Sequence, residues 1–363
     1  MKSLRIAQIA PLIESVPPAG YGGTERVVYC ITEELVRRGH DVTLFATGDS
    51  RTSAKLFPMA DRGLRLDGKQ GASVIGSMLE LAKVYHEMEG QFDIIHSHVD
   101  FLTFPFASLS STPTLLTMHG RLDVLYLVKA LRAYARLNYV SISNSQRRPV
   151  PDINWVGTVY HGYPPEYFPF NDSPSDYFLY LGRFSPEKRP DQAISIAKAC
   201  NVPLKIAAKI DPSEKEYFRE QVEPMLYDPL VEYLGEVSES GKIKLLKNAR
   251  ALLNTIDWPE PFGLVMIEAL ACGTPVIVRS CGSSPEIIQH EKTGYLCETI
   301  DDFKDAVESI GNISRHACRK DFIERFSCKR MVDDYEKIYC RLNASEARKT
   351  VSPVVPRNIV SPG

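Results

Sequence analysis

Residues 251–280 read ALLNTIDWPEPFGLVMIEALACGTPVIVRS, and this run carries a complete strand–helix–strand unit. ALLNTI (251–256) and PVIVRS (275–280) are short apolar runs. Between them lies the helix-forming string GLVMIEALA, closed by Cys272-Gly273-Thr274-Pro275 with ordinary C-cap chemistry. Strands joined through a helix pack parallel, so the fold class is α/β. Ligands in such sheets sit outside the carboxyl ends of the strands. The loop DWPEP, which leaves the strand 251–256, therefore faces the place where chemistry is expected. Pro259 and Pro261 stiffen it and present Glu260 from a fixed backbone.

Gly263 removes the side chain at the helix start, and the free N–H groups of the first turn form an anion site. Glu268 lies five residues further, roughly 7–8 Å along the axis. One carboxylate above a bound anion, with a second beside it, fits a nucleoside diphosphate-sugar. Sugar hydroxyls would lie near Glu260, phosphates at Phe262, Gly263 and Leu264, and ribose hydroxyls near Glu268. Taken alone, the two glutamates read more simply as solvated loop and helix residues.

Working outward, the same alternation recurs. Strand-like runs at 4–10, 41–47, 93–98, 114–120 and 139–143 are separated by helical patterns at 24–39, 73–90 and 124–137. The pattern pauses at HGYPPEYFPFNDSPSD (161–176), rich in proline and turn formers, and restarts with strands at 177–183, 204–210 and 231–235. This organisation reads as a first domain over 1–163, a second over 164–334, a helix over 335–347 and a mobile proline-rich tail over 348–363.

Two loops reinforce the anion reading. YLGRFSPEKRPDQA places Arg183 and Lys188 after the first strand of the second domain, an arginine fork and an ammonium suited to a diphosphate. PPAGYGGTERVV sets Gly20, Gly22 and Gly23 before a helix that faces the cleft from the other side. That loop is not a dinucleotide fingerprint. About ten residues follow the strand, and the position three past Gly22 is Glu25 rather than glycine. The loop reads as phosphate-related, with no NAD site.

Composition excludes several classes. A net charge of −2 gives no reason to expect nucleic acid as a partner, and no run is long and apolar enough to span a bilayer. The helix 315–330 is basic, which leaves peripheral contact with anionic lipid open beside the plainer reading of a solvated face. The N-terminus reads as a first strand rather than a signal peptide. Eight cysteines without a C-x-x-C pair read as reduced thiols of a cytoplasmic protein. The pair His96 and His98 on one side of a strand lacks a third metal ligand nearby in sequence.

Together these segments resemble the family-4 retaining glycosyltransferases of the GT-B fold, in which two Rossmann-like domains face each other across a cleft. The likeness runs nearly end to end. It rests on the glycine loop with YGGTERVVYCITEELVRRG, on TMHG, VSISNSQ and LGRFSPEK, and on EPFGLVMIEALACGTPVI with its two glutamates. GSSPEII, KTGYL and the last helix YEKIYCRL are similar as well. Two departures stand out: His161 replaces the usual asparagine of the linker, and IDWPEP replaces the usual Pro-Ser.

The resemblance implies transfer of a sugar from a nucleoside diphosphate-sugar to an acceptor with retention of configuration. The donor is a substrate, and no cofactor is implied. No Asp-x-Asp occurs in the sequence, so Arg183, Lys188 and the amides of Gly263 and Leu264 would take the place of a metal on the leaving diphosphate. Glu260 would face the positive charge that develops on the sugar, with His119 approaching from the first domain. Gly22 and Gly23 would touch the donor, and Thr24 and Glu25 the sugar or the acceptor. Further donor contacts would come from the loop near Val237 and from Glu286. Front-side attack and double displacement both remain open, as do donor base, acceptor and oligomeric state. A nucleotide-sugar epimerase and a non-catalytic sugar-nucleotide binder are the competing readings.

Overall fold

The computed structural model describes residues 3–20, 22–65 and 70–351, excepting the side chains of 70–72 and 345–351. The first lobe is built on a seven-stranded parallel sheet. Its strands are β1 (Arg5–Ile9), β2 (Asp41–Thr47), β3 (Lys55–Ala60), β4 (Ile94–Ser97), β5 (Thr114–Thr117), β6 (Asn138–Ser141) and β7 (Trp155–Thr158). The second lobe carries six: β8 (Phe178–Phe184), β9 (Leu204–Ile210), β10 (Val231–Tyr233), β11 (Ala251–Asn254), β12 (Val276–Arg279) and β13 (Gly294–Cys297).

The strand orders are β3-β2-β1-β4-β5-β6-β7 and β10-β9-β8-β11-β12-β13. In each sheet the winding reverses beside the first strand, between β1 and β4 and between β8 and β11. Loops leaving strands on either side of such a reversal part in opposite directions and open a crevice. The crevices of the two sheets receive the glycine loop after β1, the segment after β4, the Arg183–Lys188 turn at β8, and the Glu260 loop after β11. This is the two-lobed GT-B architecture.

β1 shows why these residues make a central strand. Ile6, Ala7 and Ile9 are wholly buried, and Ile6 pairs with Val42 on one side and Ile94 on the other. A strand covered on both faces reads as a continuous apolar run. The strands that the hydrophobic pattern misses are β3, β7 and β13. All three lie at sheet edges; β3 and β7 are half-buried, as are the two middle residues of β13. Between β9 and β10 the chain forms no single regular helix but a 3-10 turn (Pro212–Glu214), a single α turn (Lys215–Tyr217) and a π turn (Phe218–Val222).

Helix Cys328–Val351 begins on the second lobe and ends on the first. Tyr335 and Tyr339 are fully buried there, and Glu336 accepts from Arg38 and from His40 Nε2 (2.8 Å). Of the tail expected over 348–363, residues 348–351 continue this helix, and 352–363 lie outside the described residues. The basic helix Arg315–Phe326 does not offer its arginines to a lipid surface. Arg315 donates to the carbonyls of Asn171, Ala249 and Lys247, and Arg319 to those of Phe168, Pro165 and Ala271. Arg325 likewise donates to the carbonyls of Ile287 and Glu286.

The linker and the returning chain touch at Tyr163, whose N–H donates to Phe326 O (3.0 Å) while its carbonyl accepts from Cys328 N (2.9 Å). Gly162 is packed so closely there that a Cβ would stand 2.5 Å from Ser327 O. Gly162→Ala is expected to lower stability by about 1–3 kcal/mol, because backbone must shift to admit the methyl. Urea denaturation checks it, with Gly90→Ala, where a Cβ meets nothing within 4 Å, as the control.

Candidate active site

The crevices of the two lobes meet in one cleft of about 670 Å³. On the second lobe, β8 delivers Arg183, and the 3-10 turn Pro186–Lys188 delivers Lys188. This turn is held from below. Tyr180 Oη donates to the carbonyls of Arg183 (3.2 Å) and Lys188 (3.3 Å), and Thr255 Oγ1 donates to Arg189 O (2.7 Å). Arg189 itself is in the left-handed region at φ 50°. The backbone of the Glu260 loop joins in through Asp257 N, which donates to Glu187 O (2.8 Å).

With both backbones tied, Lys188 Nζ reaches Glu260 Oε1 at 2.7 Å, and the two side chains are 18% and 19% exposed. A cation and an anion thus sit together at the start of helix Leu264–Ala271. Gly263 caps that helix at φ 81°, and a Cβ there would meet Met266 Cε at 2.6 Å and Glu260 Oε2 at 3.3 Å. Glycine therefore both permits the turn and leaves room for the carboxylate. Phe262 is buried and packs edge-on against His161 at 4.9 Å, which fixes the loop from inside.

Glu268 is 4% exposed and accepts from Lys242 Nζ at 2.8 Å. Lys242 also pairs with Glu239 (3.1 Å), and Glu239 with Arg26 of the first lobe (3.3 Å). The glycine loop is pressed against the start of helix Leu264–Ala271, since a Cβ on Gly23 would stand 2.9 Å from Leu264 Cδ1. Glu25, in the first turn of its helix, is 5% exposed on the cleft wall, and burial raises its carboxyl to about 7. His119 follows β5, with Nε2 2.8 Å from His98 Nδ1 and its ring stacked on His161 at 5.2 Å. Burial lowers His119 to about 3, so the ring is neutral.

Two family models match the chain. The one for glycosyl transferases group 1 covers residues 168–325, and the one for Glycosyltransferase Family 4 covers 21–181. The chain belongs to the group 1 and family 4 glycosyltransferases. An uncharacterized glycosyltransferase of Methanocaldococcus jannaschii is 27% identical over 341 residues, 79% of this chain and 84% of that protein. The N-acetyl-alpha-D-glucosaminyl L-malate synthase of Bacillus anthracis is 35% identical over 116 residues, which span 30% of this chain and 29% of that enzyme. Among solved structures, a glycosyltransferase involved in avilamycin A biosynthesis superposes with a TM-score of 0.74 at 23% identity, covering 94% of this chain and 98% of that one. A sucrose-phosphate synthase from Thermosynechococcus elongatus gives 0.73 at 18% identity, covering 95% and 100%. At these identities the structural likeness speaks for the fold.

In this glycosyltransferase, Gly22, Gly23, Thr24, Glu25, His119, Arg183, Lys188, Val237, Glu260, Phe262, Gly263, Leu264 and Glu268 all line the one cleft. Glu286 does not. Its carboxylate accepts from the N–H groups of Asn144 and Ser145 (2.7 Å each) and from Tyr160 Oη (2.8 Å), so it braces the second lobe against the first.

Sequence reading missed Lys242, Glu239, Lys209 and Asp100, which line the cleft as well. Lys242 had a usable signal, the N-cap Ser238 opening a helix after β10. Asp100 had none. It follows β4 at φ 39°, its Oδ1 has no hydrogen-bond partner, and burial raises it to about 6.

Glu25 yields a pH prediction. Between its ordinary value of 4.5 and about 7, the unfolded chain has lost a proton that the fold keeps, so stability falls as pH rises through that window. Glu25→Gln is expected to abolish the fall. Relative to wild type, the variant should gain up to about 3 kcal/mol between pH 4.5 and pH 8, read from urea midpoints at the two pH values.

Proposed function

We propose that the protein transfers a sugar from a nucleoside diphosphate-sugar to an acceptor hydroxyl, with retention at the anomeric carbon and without a metal ion. The observation that carries this reading is the gathering of Arg183, Lys188 and Glu260 at the open N-terminus of helix Leu264–Ala271. A diphosphate placed there meets a guanidinium, an ammonium and main-chain N–H groups at once. Glu260 then lies beside the sugar that the diphosphate carries.

The reaction breaks the bond between the anomeric carbon and a diphosphate oxygen, and forms one to the acceptor oxygen. The acceptor's proton passes to the departing phosphate oxygen on the same face in a front-side attack. Charge grows on the leaving group as the bond breaks, so donors already fixed in place stabilise the transition state more than the ground state. The tied backbones of the 186–188 turn and the 257–260 loop supply that fixity. Before the substrate arrives, Lys188 is neutralised by Glu260. An incoming diphosphate competes for the ammonium and leaves the carboxylate to face the sugar.

The first lobe supplies the other wall. Thr24 and Glu25 lie beside Gly22 and Gly23, and His119 stands at the end of β5. An acceptor or sugar hydroxyl is bounded by these groups. Among the described residues no three His, Cys, Asp or Glu side chains gather as a metal ion would require. Arg183 and Lys188 are the two cations beside this helix start that the reading assigns to the diphosphate.

Lys188→Ala is expected to weaken binding of a nucleoside diphosphate and to lower kcat by 10²–10³, on the order of 3–4 kcal/mol for one lost donor. Glu260→Gln is expected to lower turnover strongly while nucleotide binding persists. A thermal-shift panel of uridine, guanosine, adenosine and thymidine diphosphates, followed by turnover of the matching sugars with and without EDTA, checks all three statements. Absence of a shift with every nucleotide, or wild-type rates in both variants, contradicts the assignment.

A further inference from the structure

Behind His119 a chain of hydrogen bonds runs through the core of the first lobe to the C-terminal helix. His119 Nε2 lies 2.8 Å from His98 Nδ1, and His98 Nε2 lies 2.9 Å from Gln8 Oε1. Gln8 Nε2 lies 3.2 Å from Tyr339 Oη and 3.4 Å from His96 Nδ1. Tyr339 Oη is 2.7 Å from His96 Nδ1, His96 Nε2 is 2.7 Å from Thr117 Oγ1, and Thr117 Oγ1 is 3.0 Å from Tyr335 Oη. Gln8, His96 and His98 are at most 2% exposed. At the cleft end, His119 Nδ1 is buried and has no hydrogen-bond partner.

The donor and acceptor roles along this chain are not independent. An amide oxygen only accepts, so His98 Nε2 carries the proton that Gln8 Oε1 receives. A neutral imidazole has one N–H, so His98 Nδ1 is a bare acceptor. His119 Nε2 must then donate to it, and His119 Nδ1 keeps a lone pair. On the other side, the Gln8 amide N–H donates to Tyr339 Oη, whose hydroxyl proton goes to His96 Nδ1. Thus His96 donates from Nε2 to Thr117, and Thr117 to Tyr335. Burial pushes His96 and His98 well below the usual histidine range, which keeps both rings neutral.

We propose that Gln8 and His98 are positioning residues that fix His119, a residue of the cleft wall, as the tautomer with a bare Nδ1, and that Tyr339 holds the Gln8 amide in the orientation that does so. A hydroxyl that reached this buried nitrogen would meet an acceptor, not a donor. A helix that starts on the other lobe sets that polarity from behind the sheet. The use of this acceptor rests on the transferase reading above, but its existence does not.

The test is nuclear magnetic resonance of the full chain with ring-15N histidine at pH 7.5, signals being assigned by single histidine substitutions. The expected result is a one-bond N–H splitting at His119 Nε2 and none at Nδ1. Tyr339→Phe and Gln8→Leu should each move His119 toward a mixture of tautomers. Gln8→Glu, which can only accept from His98, should keep Nδ1 bare. A wild-type His119 with its proton on Nδ1 means that the chain runs in reverse from a Gln8 amide donating to His98, and overturns the proposal. Unchanged His119 signals in Tyr339→Phe remove the helix from it. With the donor found by the nucleotide panel, Gln8→Leu should lower kcat/KM about tenfold and Gln8→Glu restore it, the loss of one hydrogen bond. Should the panel find no donor, the transferase reading fails while the tautomer result stands by itself.

Discussion

The facing of the two sheets depends on one crossing point, where the linker at Gly162–Tyr163 runs beside Phe326–Cys328. Two backbone hydrogen bonds join the segments there, and the contact is too close for any side chain on Gly162. From that point the last helix passes onto the first lobe and buries Tyr335 and Tyr339 against it. The largest apolar cluster accordingly mixes Val27, Ile31 and Leu35 of the first lobe with Met331, Tyr335 and Tyr339 of this helix and with the core of the second lobe. A single continuous core of this kind resists shear between the parts it joins. Every distance across the cleft is measured against that frame.

Within the cleft, electrostatics follows from what the backbone has already tied down. Lys188 and Glu260 are each less than one-fifth exposed, so their attraction is less weakened by water than a surface pair would be. Lys242 between Glu239 and Glu268 repeats the arrangement further along the same wall. Each lysine thus has a carboxylate partner while the cleft is free. An anion that displaces the carboxylates exchanges one partner for another rather than entering an exposed positive patch. The near-zero net charge of the whole chain agrees with cations grouped locally rather than spread over a basic face.

Much of this was legible in the residues because the relevant signals are short-range. Alternation of strands and helices implied two parallel sheets, and the Pro259–Gly263 segment announced a stiff loop and an open helix start. Arg183, Lys188 and Glu260 come from separate loops, yet each loop leaves the carboxyl end of a strand, which is enough to bring them to one side. What could not be read depends on long-range pairing. Edge strands such as β3 carry no strong pattern because one face meets water. Glu286 sits in a stretch similar to a sugar-binding loop, but its carboxylate finds the N–H groups of Asn144 and Ser145, which lie about 140 positions away in the chain. The arginines of 315–325 look like a solvated basic face until the carbonyl groups that they satisfy are located. The histidine pair at 96 and 98 gave no hint of its partners, since Gln8 and Tyr339 stand near opposite ends of the sequence.

The brace at Glu286 bears on how the molecule opens. One carboxylate holds two main-chain donors and a phenol, all within 2.8 Å, and hydrogen bonds lose their strength over fractions of an ångström. Rotation of the lobes about the crossing point would therefore release these contacts together and not one after another. Parting of the lobes at that edge is a latch coming undone, with two settings and little between them.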